Sequence, residues 1–217
     1  MESEKDSKNS VTDLKNVARK NSVGAEGPNT QTQGNNAQEQ ILYKDNTMTI
    51  VREKAKINGR DFEFLKIEEN DAVVVLAVVD DHIILEKQYR PAIGKYIYEL
   101  PAGHIEIEEN ESPINAAIRE MQEETGYTPK KVSFLFKGYP MPGTNTAMVY
   151  FYLAEDLSEG GANPEADEDI SVVKVSLEDA MKMIRSGEII DLKTITGILY
   201  YYYIFKNANR RQAKEVI

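Results

Sequence analysis

Hydrophobic and polar positions divide the chain into a patternless beginning and an ordered remainder. Residues 1–40 are rich in Ser, Asn, Gln, Gly and Lys, and the run Gly27-Pro28-Asn29-Thr30-Gln31-Thr32-Gln33-Gly34-Asn35-Asn36 has no apolar period. This composition predicts a disordered polar tail, with at most a transient helical turn over Asp13–Val23. From Ile41 the pattern changes. Ile41–Tyr43 and Met48–Ile57 read as strands, Asn58-Gly59 is a hairpin turn signal, and Arg60–Ile67 is the return strand. Ala72–Val79 is an unbroken Ala/Val/Leu run, as in a strand buried on both faces. Asp80-Asp81 turns the chain into a further strand, His82–Tyr89.

Glu111–Gly126 is the first predicted helix. Ser112 is a good N-cap, Pro113 can take the first helical position, and Gly126 can end the helix in the left-handed region. Strands are expected at Lys131–Lys137, Ala147–Leu153 and Ile170–Val175, with a Gly-rich loop over Ser158–Ala166. Leu177–Ser186 and Leu192–Asn207 close the chain as helices, and 208–217 is expected to fray. This order describes one mixed α/β (α+β) domain over 41–207, with an N-terminal antiparallel sheet over 41–67.

Composition and charge narrow the function. The 217 residues include no cysteine, which excludes disulfides, thiolate metal sites and thiol catalysis and fits a cytoplasmic protein. No apolar run is long enough for a membrane span, and no signal-peptide core is expected. The net charge is −10, and residues 1–40, with five Lys/Arg and six Asp/Glu, leave −9 on the rest. An acidic domain disfavours nucleic acid and anionic membranes as partners. A phosphate-bearing substrate would need metal ions to bridge the charge.

The helix 111–126 carries the candidate chemistry. Glu120, Glu123 and Glu124 stand at i, i+3 and i+4, on one face. Like charges so spaced cost a helix roughly 0.2–0.5 kcal/mol per pair. A solvated acidic face would be the ordinary explanation, were it not for the neighbours. Pro101-Ala102-Gly103 forms a turn before the helix, Glu111 lies eight residues before Arg119, and Glu-Glu-Thr-Gly ends it.

In this order the residues resemble the Nudix box, G-x5-E-x7-R-E-U-x-E-E-x-G-U, where U is aliphatic. Gly103, Glu111, Arg119 and Gly126 take its structural positions. The chain departs in having Gly103 eight rather than six residues before Glu111, and Tyr127 at the last aliphatic position. The resemblance implies a Nudix fold, a mixed β-sheet sandwiched between helices. It implies Mg²⁺ or Mn²⁺ held by Glu120, Glu123, Glu124 and the carbonyl of Ala102, with Glu111 and Arg119 as organisers. Such ions would clamp a diphosphate and activate water.

Glu86-Lys87-Gln88-Tyr89-Arg90-Pro91-Ala92, Tyr98-Glu99-Leu100-Pro101-Ala102-Gly103 and Pro142, sixteen residues after Gly126, resemble the ADP-ribose pyrophosphatase branch. This implies hydrolysis of ADP-ribose to AMP and ribose 5-phosphate. Arg90, Glu99, His104 and Pro142 are then the substrate-side residues. Glu168, in the acidic loop with Glu165 and Asp167, is the expected base or further metal ligand, with Glu123 sharing the catalytic role. Ala147 stands where relatives often carry an acid, which keeps nucleotide sugars and dinucleotides open as substrates. A non-catalytic ADP-ribose-binding module is a further alternative. By analogy the protein is a homodimer that exchanges residues 41–67. His82 is expected to be structural or exposed, and Tyr200–Tyr203 to pack in the core and at interfaces.

Overall fold

The computed structural model describes residues 39–106, 109–162 and 169–206. Residues 1–38 of the expected tail, the fraying of 208–217 and the acidic residues Glu165, Asp167 and Glu168 lie outside the described residues, and Gln40 already belongs to the first strand.

Among the described residues two compact units are distinguished, one holding the hairpin Glu53–Phe64 and the other holding Ile41–Arg52 with the residues from Leu65 onward. The first sheet has three strands in the order β1 (Gln40–Lys44), β2 (Met48–Ile57), β3 (Arg60–Glu69). Asn58 and Gly59 turn its hairpin with positive φ, at 51° and 76°. That is the geometry expected when Asn-Gly joins two twisted strands.

The central sheet holds β4 (Ala72–Val79), β5 (His82–Arg90), β6 (Lys95–Glu99), β7 (Ala102–His104), β8 (Tyr127–Gly138), β9 (Val149–Glu159) and β10 (Ile170–Ser176). Its main order is β10-β5-β4-β9-β8, with β6 paired to β5 and β7 to β4. β4 and β9 run parallel, Ala72 facing Val149 through Ala77 facing Ala154, so the sheet is mixed. The apolar run of β4 has the predicted cause. Val74 and Leu76 enter one buried cluster with Leu177, Ala180 and Ile198, while Val73, Val75 and Ala77 enter another with Ala116, Ala117 and Met121. Helix α1 (Pro113–Thr125) therefore covers one face. Helices α2 (Leu177–Ser186) and α3 (Leu192–Tyr201) cover the other.

Several boundaries differ from expectation. β6 and β7 were not foreseen: at five and three residues they are too short to show a period, and they exist because they pair with β5 and β4. β8 begins at Tyr127 and runs through Pro129, which an edge strand tolerates. β9 starts at Val149, not Ala147, and its pairing with β8 carries it through the polar Glu155–Glu159. α1 begins at Pro113, so Glu111 precedes the helix rather than opening it. The last helix is α-helical only to Tyr201 and continues as a π-helix over Tyr202–Lys206. Tyr200 packs tilted against Phe136 beside the core cluster whereas Tyr203 is exposed, as four consecutive tyrosines on a helix require.

Both ends of α1 are set locally. Ser112 Oγ accepts the Asn115 N–H at 3.3 Å. Gly126 caps the other end at φ 75°, and a Cβ there would lie 2.8 Å from the Ala162 nitrogen. The left-handed conformation alone costs a non-glycine residue roughly 1–2 kcal/mol. The backbone contact adds to that cost, since neither chain can yield by a rotamer change. Gly126→Ala is expected to lower unfolding free energy by at least about 1–2 kcal/mol, measured by urea denaturation; an unchanged midpoint would contradict the cap geometry.

Candidate active site

The site is built from the end of β5, the β6–β7 turn, α1 and the start of α3. Arg119 organises α1's acidic face. Its Nε and Nη2 donate to Glu111 at 2.9 and 3.0 Å, and Nη2 also donates to the His104 carbonyl at 2.9 Å. Its Nη1 stands 2.9 Å from Glu120 Oε1 and 3.0 Å from Glu123 Oε2. One planar cation thus holds three carboxylates and the end of β7. Only a guanidinium has enough donors in a fixed fork to do so. Glu111 also accepts the Glu106 N–H at 3.0 Å, tying the loop before α1 to its own helix.

The other two acids meet the Ala102–Gly103 turn. Glu124 is buried, and its Oε2 accepts the Ala102 N–H at 3.0 Å. Glu120 lies over Gly103: a Cβ on that glycine would fall 2.0 Å from Glu120 Oε1. A side chain at this position would displace the Glu120 carboxylate from the turn, because that carboxylate occupies the place of the missing Cβ. The two-residue lengthening of the loop leaves this contact intact.

On the facing wall, Arg90 donates to buried Glu99 through Nε at 2.6 Å and Nη2 at 2.9 Å. Lys193, from the first turn of α3, lies 3.6 Å from Glu99 and 2.8 Å from Asp191. Asp191 caps α3 by accepting the Thr194 N–H at 2.8 Å. The fully buried Thr194 hydroxyl accepts the Leu100 N–H at 2.8 Å, so α3 is bonded to the turn that carries Ala102. The Arg90 guanidinium is pushed further up by its hydrogen bonds to Glu99, against the opposing effect of burial.

Between these walls is a cavity of about 450 Å³, lined among others by Arg90, Gly103, His104, Glu120, Glu123 and Lys193. Of the expected residues, Arg90, Ala102, Gly103, His104, Arg119, Glu120 and Glu123 line it. Glu99, Glu111 and Glu124 support it from behind. Pro142 lies in the β8–β9 loop and is not part of this lining, and Glu168 lies outside the described residues. Sequence reasoning missed Lys193 and Glu106. The one available signal for Lys193 was a cation in the first turn of a helix, where the macrodipole disfavours it.

Among the described residues, no three His, Asp or Glu side chains converge closely enough to enclose an ion by themselves. The donors nonetheless suit a hard divalent cation. Two carboxylates, Glu120 and Glu124, gather on one backbone turn, and a third, Glu123, faces the same cavity.

The NUDIX domain family model matches residues 69–195. An ADP-ribose pyrophosphatase of Bacillus subtilis (strain 168) is 39% identical over 167 residues, covering 76% of this chain and 89% of that protein. A GDP-mannose pyrophosphatase of Enterobacter sp. (strain 638) is 34% identical, covering 54% of this chain and 65% of its own. A solved structure described as an ADP compounds hydrolase superposes with a TM-score of 0.71 at 22% identity, covering 79% of this chain and 94% of that one; at that identity the likeness is one of fold.

Hydrogen bonds from Arg119, assisted by the Glu106 N–H, hold the Glu111 carboxyl below its ordinary value, while burial opposes them. A lowered carboxyl pKa stabilises the fold above the ordinary value of 4.5, and the contribution fades as pH falls through the lower folded value. Arg119→Met is expected to destabilise the protein by about 2 kcal/mol at neutral pH. The gap from wild type should narrow below about pH 4.5, where Glu111 protonates in the unfolded chain. Urea unfolding from acid to neutral pH measures it; a pH-independent gap would refute the pairing.

Proposed function

The chain belongs to the Nudix family of hydrolases, and from that premise we propose that it cleaves the diphosphate of ADP-ribose to AMP and ribose 5-phosphate. The observation that carries the chemistry is the gathering of Glu120 and Glu124 on the Ala102–Gly103 turn. Similarity to the Bacillus ADP-ribose pyrophosphatase over most of its length supports the substrate.

In this proposal Glu120, Glu123, Glu124 and the Ala102 carbonyl would hold Mg²⁺ or Mn²⁺, with Glu168 as a further ligand or as the base. Bound there, the ions offset the diphosphate's charge and lower the pKa of water. The protein's own task is positioning, as is usual when a phosphoryl centre is attacked. Arg119 fixes the carboxylates of Glu120 and Glu123 and ties β7 to α1. Arg90, held rigid by Glu99, presents its guanidinium to the diphosphate or the terminal ribose. His104 lines the entrance. In the role of base, Glu168 would take the proton from the attacking water, or Glu123 would where Glu168 is a ligand.

The GDP-mannose pyrophosphatase relatives support a second substrate, a nucleotide sugar sharing the diphosphate. The test is product analysis with ADP-ribose and GDP-mannose in Mg²⁺, wild type beside Glu124→Gln. Faster release of AMP and ribose 5-phosphate is expected, with at least a ~10²-fold loss in Glu124→Gln. Faster cleavage of GDP-mannose would favour the second substrate. Binding of ADP-ribose without turnover would make the protein a sensor, and equal rates in the variant would break the metal assignment.

The active form in this proposal is a homodimer. Ile41, Leu42 and Tyr43 on β1, an edge strand among the described residues, are 59%, 42% and 50% exposed. Such edges are ordinarily covered. Among the described residues no helix is long and apolar enough to cross a membrane. Sedimentation velocity is expected to give twice the chain mass, 24.5 kDa per copy; a monomer at micromolar concentration would overturn the dimer.

A further inference from the structure

The segment 139–148, between β8 and β9, is fixed more firmly than a connection requires. Thr144 and Asn145 N–H groups close a turn on the Met141 carbonyl at 3.0 and 2.9 Å. Ile67 donates to the Thr144 carbonyl at 2.7 Å, and Thr146 donates back to Ile67 at 3.0 Å. The Asn145 side chain donates to Glu69 and accepts the Ala147 N–H at 2.7 Å. Surface loops ordinarily leave such groups to water and stay mobile. Here Tyr139 and Met141 remain 56% and 53% exposed on a backbone that is tied down. Large side chains held out on a fixed loop are suited to touching a ligand at small entropic cost.

Asp71 connects this loop to the cavity. Its carboxylate accepts the Met148 N–H at 2.8 Å, and its own carbonyl accepts the Ile105 N–H at 2.8 Å. Ile105 directly follows β7, whose Ala102 and Gly103 line the cavity. The register puts both sides at one level: Ala72 faces His104 on one flank and Val149 on the other. The loop thus rises from the same end of the strands as the Gly103–His104 wall, with Asp71 between the two.

We propose that Asp71 is a positioning residue for substrate choice: it sets the height of the 139–148 loop against the Ala102–Gly103 turn, and so decides which group on the far side of the diphosphate is preferred. This rests on the proposed function, since it takes the cavity as the place where the diphosphate binds. An Asp71 that merely closed the end of the sheet would, when removed, reduce all substrates alike through loss of folded protein. A positioning Asp71 changes their ratio, which does not depend on the active fraction.

The measurement is kcat/KM for ADP-ribose and for GDP-mannose in Mg²⁺, compared as a ratio in wild type, Asp71→Ala and Asp71→Asn. Asp71→Ala frees the Met148 N–H and is expected to shift the ratio by ~10-fold or more, the scale of an ångström-sized misplacement at a site. Asp71→Asn keeps an oxygen that can accept that N–H and is expected to stay within ~3-fold of wild type. An unchanged ratio in Asp71→Ala overturns the proposal, as does an equal shift in Asp71→Asn. Should Asp71→Ala fail to fold, Asn145→Ala releases the same loop from its other anchor. The same shift is then expected, and an unchanged ratio again overturns the proposal. A wild type that prefers GDP-mannose overturns the ADP-ribose assignment alone; one that cleaves neither compound overturns both.

Discussion

The structure around the site depends on a single charge balance, the Arg119 guanidinium among Glu111, Glu120 and Glu123. A helix that stacks carboxylates on one face is self-repelling, and partial burial raises the cost because water screens less there. Arg119 offsets this from within the same face and is shifted well above its ordinary value by Glu111 first and by Glu120 and Glu123 after it. The same side chain reaches the His104 carbonyl, so one group sets both the electrostatics of α1 and its distance from β7. A lysine has the charge but only three N–H donors on one nitrogen, too few for the five contacts that Arg119 makes with Glu111, Glu120, Glu123 and the His104 carbonyl.

The opposite wall uses a second network of the same kind. Buried Glu99 takes both branches of the Arg90 fork, Lys193 stands nearby, and Asp191 joins Lys193 to the cap of α3. Thr194 then bonds the main chain of Leu100, one residue before the Pro101-Ala102 pair. The helices on the two faces of the sheet thereby grip the same short turn, α1 through Glu124 and α3 through Thr194. Buried charges of this sort are poor sources of net stability, and their worth is geometric. They hold cationic and anionic groups apart across a cavity where each would otherwise collapse on the other.

Elements defined by their own residues were legible in the sequence. Ser112, Pro113 and Gly126 bracket α1, Asn58-Gly59 turns the hairpin, and the run of β4 has a buried cluster on each side. The spacing of Glu111 and Arg119 likewise foreshadowed their contact, although helix geometry alone also allowed Arg119 to pair with Glu123, and it does both. What depends on distant partners was not legible. β6 and β7 exist through pairing, the full reach of β9 is set by β8, and Lys193 arrives at the cavity from a helix 94 residues beyond Glu99 in the chain. Asp71, one of three acids within four residues before a strand, carried no mark of its bonds to Met148 and Ile105. The site was readable where one helix supplies it and unreadable where the sheet does.

The parallel pairing of β4 with β9 has a consequence for synthesis. Ala72 and Val149 are neighbours in the sheet, and β5, β6, β7 and α1 all lie between them in the chain. Bringing such distant strands together costs loop-closure entropy before any contact repays it. A ribosome that has delivered Tyr127 has supplied every residue of the box, but the strand parallel to β4 does not yet exist. The acidic helix then carries its carboxylates with one wall of its sheet missing. Until β9 emerges and docks, the growing chain holds a strongly charged helix beside an apolar strand that still lacks its parallel neighbour.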